Sequence, residues 1–148
     1  MEKKSILIVD DDISILKSMK ELLRLEGYAV DTAELGQEAI MKSEANLYNL
    51  ALLDIKLGDM EGTELLEKLH KSKPRMMKIM ITGYPSLDNA IAALNKGADA
   101  YIIKPANAKE FLSTVERKLR EQEEAENMDE DNVAKWIETR VEKLRQAK

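Results

Sequence analysis

Cysteine is missing from this chain altogether, and histidine occurs once, at position 70. Without Cys there is no disulfide scaffold, no thiolate zinc site and no cysteine nucleophile. A lone imidazole cannot build a multi-His metal site within one chain. Long apolar runs are also lacking: none approaches the roughly 20 residues that span a bilayer. Residues 1–5 lead into only four apolar residues, Ile6 to Val9, unlike a secretion signal. No cluster of five or more Lys/Arg marks a nucleic-acid footprint. The expectation is a soluble cytoplasmic protein with no direct contact to nucleic acid or membrane.

What is present fits one domain: 148 residues, long enough to bury a core without covalent staples. The net charge of −5 is unevenly placed, because residues 121–131 hold seven acids and no base. The remainder of the chain is slightly positive. The overall acidity therefore comes from one stretch and says little about partners.

Short apolar runs alternate with amphipathic ones. Ile6–Val9, Leu50–Leu53, Met77–Ile81 and Ala100–Ile103 read as buried strands, and Tyr28–Thr32 as a half-exposed one. Between them, Ile15, Leu16, Met19, Leu22 and Leu23 fall on one helical face. Asp12 is placed to cap that helix and Gly27 to end it. Residues 36–45 and Thr63 to Lys71 read as the next helices, and a fourth opens at Pro85-Ser86 and stops at Gly97. Asn107, with Glu110 three residues on, resembles a capping box for a fifth helix that buries Phe111, Leu112, Val115 and Leu119. Five strand–helix units in succession predict an α/β fold, a doubly wound parallel sheet with helices on both faces. The acidic stretch after Leu119 reads as a linker or a solvated continuation of the helix. From Asp129 to Lys148, Val133, Ile137, Val141 and Leu144 form a helical stripe. The expected division is a domain over 1–120 and an acidic, amphipathic helical extension over 121–148.

In an open parallel sheet, ligands bind outside the carboxyl ends of the strands. Those ends carry Asp10-Asp11-Asp12, Asp54, Thr82 and Lys104. Gathered carboxylates repel and raise one another's pKa, which a hard divalent cation such as Mg²⁺ resolves. A phosphoryl group is the natural companion, with Lys104 as a point charge and the Thr82 hydroxyl as a donor. Asp54, alone on its strand, is the better-placed carboxylate nucleophile. Each residue has an ordinary explanation too: Asp12 reads as a helix cap before it reads as a ligand, and Lys104 alone would be a surface lysine. The joint placement of four matching residue types on four strand ends favours the site.

These residues resemble the receiver domain of two-component response regulators, over residues 5 to about 120. The acid pair is Asp10 and Asp11 in ILIVDDD. The phospho-accepting aspartate is Asp54 in ALLDIKLGDMEG. The hydroxyl is Thr82 in IMITGY, and the Lys-Pro is Lys104-Pro105 in AYIIKP. The resemblance implies a flavodoxin-like sheet in the order 2-1-3-4-5. It implies that a histidine kinase or phosphotransfer protein donates a phosphoryl group to Asp54. Mg²⁺ (or Mn²⁺) would be held by Asp10, Asp11, Asp54 and the backbone carbonyl of Lys56. Thr82 and Tyr101 would act as a switch pair that alters the helix 4, strand 5 and helix 5 face, which a downstream protein reads. The protein would be a phosphoacceptor, assisting only its own phosphorylation and dephosphorylation, and not an enzyme acting on other substrates. Lys56 and Tyr84 occupy positions that tune hydrolysis in the family, and their bulk predicts a long-lived phosphate.

Two departures stand out. Leu57-Gly58 replaces a frequent Met-Pro, which predicts a more flexible loop, and Ala106 replaces a frequent Phe. His70, near the end of the third helix, suits the helix dipole, so the phosphohistidine must lie on another protein. A haloacid-dehalogenase-type phosphatase is the rival reading, because Asp10-Asp11-Asp12 imitates its first motif, but no strand follows Lys104 to carry its late acidic pair. A receiver-like module that takes no phosphate is a third reading. Residues 121–148 are too few for a typical effector domain, so the chain is either a stand-alone receiver or a part of a longer regulator. Its terminal stripe suits a partner, or a second copy in a homodimer.

Overall fold

The computed structural model describes residues 3–104 and 107–146, without the side chains of 129–131. Pro105 and Ala106, both singled out in the sequence, lie outside the described residues. The elements alternate in chain order: β1 (Ser5–Val9), α1 (Ile13–Leu25), β2 (Ala29–Ala33), α2 (Gly36–Ala45), β3 (Leu50–Asp54), α3 (Gly62–Ser72), β4 (Met77–Thr82), α4 (Leu87–Asn95), β5 (Ala100–Ile103) and α5 (Ala108–Gln146). The strands form one sheet in the order β2-β1-β3-β4-β5, with every pairing parallel.

The strand pleat sorts the core into two layers. Leu7, Val9, Ala51, Leu53 and Met80 face one side and meet Leu65, Leu66 and Leu69 of α3 and Ala39 of α2. Ile6, Ile8, Leu50, Leu52, Ile79 and Ile81 face the other and meet Leu16 and Leu23 of α1 and Phe111, Val115 and Leu119 of α5. Strands buried on both faces read as near-continuous apolar runs, as β1 and β3 do, while β4 carries one interruption, the buried Lys78.

The helix ends follow local chemistry. The Asp12 carboxylate accepts from the Ser14 and Ile15 N–H groups and caps α1, while Ser86 accepts from the Asn89 N–H at 3.0 Å and caps α4. Gly27 and Gly97 take positive φ at the two helix exits. Asn107 accepts from the Glu110 N–H at 2.7 Å at the start of α5.

Two features differ from the sequence expectation. Strand β2 is shifted one residue toward the C-terminus, whereas β3 and β4 end in Asp54 and Thr82 as expected. In addition, α5 runs 39 residues without a break. The acidic stretch is therefore helix and not linker: Glu, Gln and Ala are good helix formers, and their intrinsic preference prevails over like-charge repulsion. Docking on the domain continues past Leu119 to Gln122, a buried residue. Its amide donates to the Asn49 carbonyl at 2.9 Å and the Arg75 carbonyl at 2.7 Å.

Candidate phosphoryl-acceptor site

The carboxyl ends of β1, β3 and β4 converge on one patch. Asp10 follows β1 and is buried, with 1% of its surface exposed, and Asp11 beside it is exposed. Asp54 ends β3, the central strand of the sheet. One oxygen from each of Asp10, Asp11 and Asp54 lies within 4.8 Å of the others, and this is the one such group of potential metal ligands among the described residues. Burial first, and then the charge of Asp10, push the Asp54 carboxyl up to about 6, with Lys104 offsetting part of the rise.

Lys104 follows β5 and supplies the countercharge. Its ammonium is 2.7 Å from Asp10 Oδ2 and 3.7 Å from Asp54 Oδ2. Its backbone N–H donates to the Thr82 carbonyl at 2.8 Å, which ties the ends of β4 and β5 together.

The donor set fits Mg²⁺. Three carboxylates are hard oxygen donors, and ligating oxygens around this ion stand at most about 4.2 Å apart when Mg–O is about 2.1 Å. A spread of up to 4.8 Å suits a small ion that keeps several waters, with one carboxylate reached through water.

The other predicted residues surround this patch without all joining it. Thr82 is fully buried, and its Oγ1 accepts from the Tyr84 N–H at 2.9 Å, leaving the hydroxyl proton free to donate. Tyr101 is not at the acids. It pairs with Met80 in the sheet, and its ring packs against the core on the α3 and α4 side. Its buried hydroxyl lacks a hydrogen-bond partner among the described residues, and burial raises its pKa. Lys56 and Tyr84 are paired: the Lys56 ammonium lies 5.1 Å from the centre of the Tyr84 ring. His70 sits in the last turn of α3, where Nδ1 faces the ammonium of Lys78 at 3.4 Å. Lys78 is itself buried in β4, and desolvation lowers its pKa.

Three supports were invisible in the sequence. The Asp59 carboxylate receives the Gly36 and Gln37 N–H groups at 2.8 and 3.0 Å. It thereby caps α2, whose own N-cap residue Leu35 offers no side-chain acceptor, and these hydrogen bonds hold the Asp59 pKa down. The flexibility expected from Leu57-Gly58 is offset by this tether and by the Leu57 N–H donating to the Met60 carbonyl at 3.1 Å. Gly62 opens α3 directly against the Asp54 carbonyl, where any Cβ would collide. No local pattern announces contacts made across 22 or 23 residues, such as those of Asp59.

Comparison with known proteins agrees with this geometry. Residues 6–116 match the family model of the response regulator receiver domain. The chain is 36% identical over 118 residues to the transcriptional regulatory protein ZraR of Klebsiella oxytoca, covering 80% of this chain and 27% of that protein. It is 34% identical to the acid tolerance regulatory protein ActR of Sinorhizobium medicae, covering 76% and 58% respectively. It thus spans about a quarter to just over half of the curated relatives it matches. Among solved structures, a CheY-like receiver domain from Methanospirillum hungatei JF-1 is 56% identical with a TM-score of 0.82, covering 84% of this chain and 99% of that one.

Proposed function

The chain belongs to the response regulator receiver domain family, and from that premise we propose that Asp54 is its phosphoacceptor. Receiver domains of this family are phosphoacceptor signalling domains of two-component systems, not catalytic enzymes, and histidine kinases phosphorylate them. The phosphatase reading is therefore set aside. The observation that carries the proposal is the convergence of Asp10, Asp11 and Asp54 within 4.8 Å, with the Lys104 ammonium beside them.

In the proposed reaction an Asp54 carboxylate oxygen forms a bond to phosphorus as the bond from phosphorus to a donor histidine nitrogen breaks. The freed imidazole takes its proton from solvent, and an aspartyl phosphate remains. Asp10, Asp11, Asp54 and the Lys56 carbonyl would hold Mg²⁺ or Mn²⁺, which supplies charge neutralisation at the phosphoryl oxygens. Lys104 leaves Asp10 for a phosphoryl oxygen, and the Thr82 hydroxyl donates to another. Any acceleration of phosphorylation or dephosphorylation by these residues concerns Asp54 alone.

The readout follows from Thr82 and Tyr101. As Thr82 turns to the phosphoryl group, Tyr101 repacks behind it and the α4–β5–α5 face changes. Leu87, Ile91 and Leu94 stand exposed along α4, and Ile103 on β5, an apolar surface suited to a protein target. The cytoplasm is the compartment this reading implies. Relatives named as transcriptional regulatory proteins leave a DNA-linked output open for a longer protein, whereas this chain's own apolar face suits protein contact.

The test is transfer of labelled phosphate from a phosphorylated histidine phosphotransfer protein in Mg²⁺. Label on this chain, lost in Asp54→Asn and on chelation, is the expected result. No label under either kinase or small-molecule donors contradicts the reading and returns the module that takes no phosphate.

A further inference from the structure

At the end of the sheet away from the acids, three elements and a turn meet around a buried cation. Lys78 lies four residues before Thr82 in β4, about 13 Å from it along the strand. It is 1% exposed, and among the described residues it takes part in no ion pair. Its ammonium instead lies 3.4 Å from Nδ1 of His70, in the last turn of α3, and donates to the Pro74 carbonyl at 3.4 Å. Its backbone is held as well: the Lys78 N–H donates to Asp99 Oδ2 and the Asp99 N–H to the Lys78 carbonyl, each at 2.8 Å. The His70 ring in turn lies against Gly97 at the exit of α4, where an added Cβ would stand 2.5 Å from the ring. His70 thus joins α3, β4 and the turn from α4 into β5.

The contact accommodates one positive charge and not two. Whichever of the two bases holds the proton, the other accepts from it. A further proton gives two cations 3.4 Å apart, one of them already buried. The carboxylates nearby are engaged. Glu67, one turn back on α3, pairs with Lys71 at 3.4 Å and Lys96 at 3.8 Å, and Asp99 Oδ2 holds the Lys78 N–H. Lys73 and Arg75, in the turn from α3 to β4, add positive charge. The local balance is therefore positive before His70 gains a proton. His70 is exposed, so solvent protons reach it, and an imidazole changes charge between about pH 5 and 8.

We propose that His70 and Lys78 form a proton-released clasp on the exit of α4: with one charge the pair holds α3, β4 and the α4–β5 turn together, and protonation of His70 opens it and loosens α4. Acid then acts on the α4–β5–α5 face from the end of the sheet opposite Asp54. What that face reports rests on the reading of Asp54 as phosphoacceptor. The clasp itself does not, and it is tested in the unphosphorylated full chain.

The single His makes the ring signals unambiguous in NMR. From about pH 8 to about pH 5, the amide shifts and hydrogen-exchange protection of residues 93–99 are expected to change in one step with the His70 ring, protection falling several-fold on the acid side. His70→Gln is expected to lose the step. In Lys78→Met, which fills the same space without charge, the ring should bind its proton several-fold more tightly and residues 93–99 should no longer respond. Asp54, pushed up to about 6, titrates in the same range, so Asp54→Asn is followed in parallel and is expected to keep the step. Residues 93–99 that do not respond as His70 titrates, the same step in His70→Gln, an unchanged ring titration in Lys78→Met, or loss of the step in Asp54→Asn overturns the clasp.

Discussion

The Lys104 ammonium donates to Asp10 Oδ2 at 2.7 Å and stands farther, 3.7 Å, from Asp54 Oδ2. In this state the lysine is the counterion of Asp10 rather than a ligand of the acceptor. Its removal leaves gathered carboxylates uncompensated. Lys104→Met is expected to lose about 2 kcal/mol of stability at pH 8 in urea melts without divalent cation, as for a partly buried charge-assisted hydrogen bond. Saturating Mg²⁺ should restore most of the loss.

Asp54 titrates in the opposite sense to a salt-bridged carboxylate. Its folded pKa is pushed up to about 6, above the roughly 3.9 of an unfolded Asp. The folded state therefore binds the proton more tightly, and the associated stability is complete below about pH 4 and lost as pH rises through 6. Asp54→Asn holds the side chain neutral. It is expected to exceed the parent by roughly 1–2 kcal/mol at pH 8, discounted for solvent at a partly buried carboxyl. The gap should close below pH 4, and melts across that range measure it.

Lys56 and Tyr84 cover one another at 5.1 Å, a pairing worth about 0.5–1 kcal/mol at an exposed site. Held together, they are expected to restrict the approach of a hydrolytic water to Asp54. The aspartyl phosphate is expected to last minutes or longer at neutral pH, and Tyr84→Ala or Lys56→Ala to shorten it about 2- to 5-fold. Decay of the phosphorylated mass with time measures this, and a half-life of seconds in the parent contradicts it.

Asp59 joins the loop after the acceptor to the N-terminus of α2 through the Gly36 and Gln37 N–H groups. Its carboxyl is held below the ordinary range, so its contribution is present above about pH 4 and lost as pH falls further. Asp59→Ala should lower the Tm at pH 7 and slow phosphorylation of Asp54, with the Tm difference narrowing on acidification. An unchanged Tm and rate would show that the loop is held by other contacts.

The sequence made the sheet legible where burial constrains it on both faces: β1 and β3, and β4 apart from Lys78, are apolar through their interiors because each lies between two helix layers. It made Asp12, Ser86, Gly27 and Gly97 legible because a cap or a positive φ is a local demand. It left β2 one residue out of place, since register comes from pairing with β1 and not from the strand's own pattern. The acids, Lys104 and Thr82 were legible as strand-end residues, yet the preference of Lys104 for Asp10 depends on distances only the fold sets. Asp59, Gly62 and the Gln122 latch act through partners distant in sequence. The continuity of α5 stayed open between linker and helix, because a run of acids suits a linker while its residues are helix formers.

The central claim rests on Asp54, and intact mass tests it most directly. The full chain and Asp54→Asn are incubated with Mg²⁺ and acetyl phosphate. The account predicts a gain of one phosphoryl in the parent that needs the cation and is absent in the variant. No gain in the parent, or an equal gain in both, would contradict it.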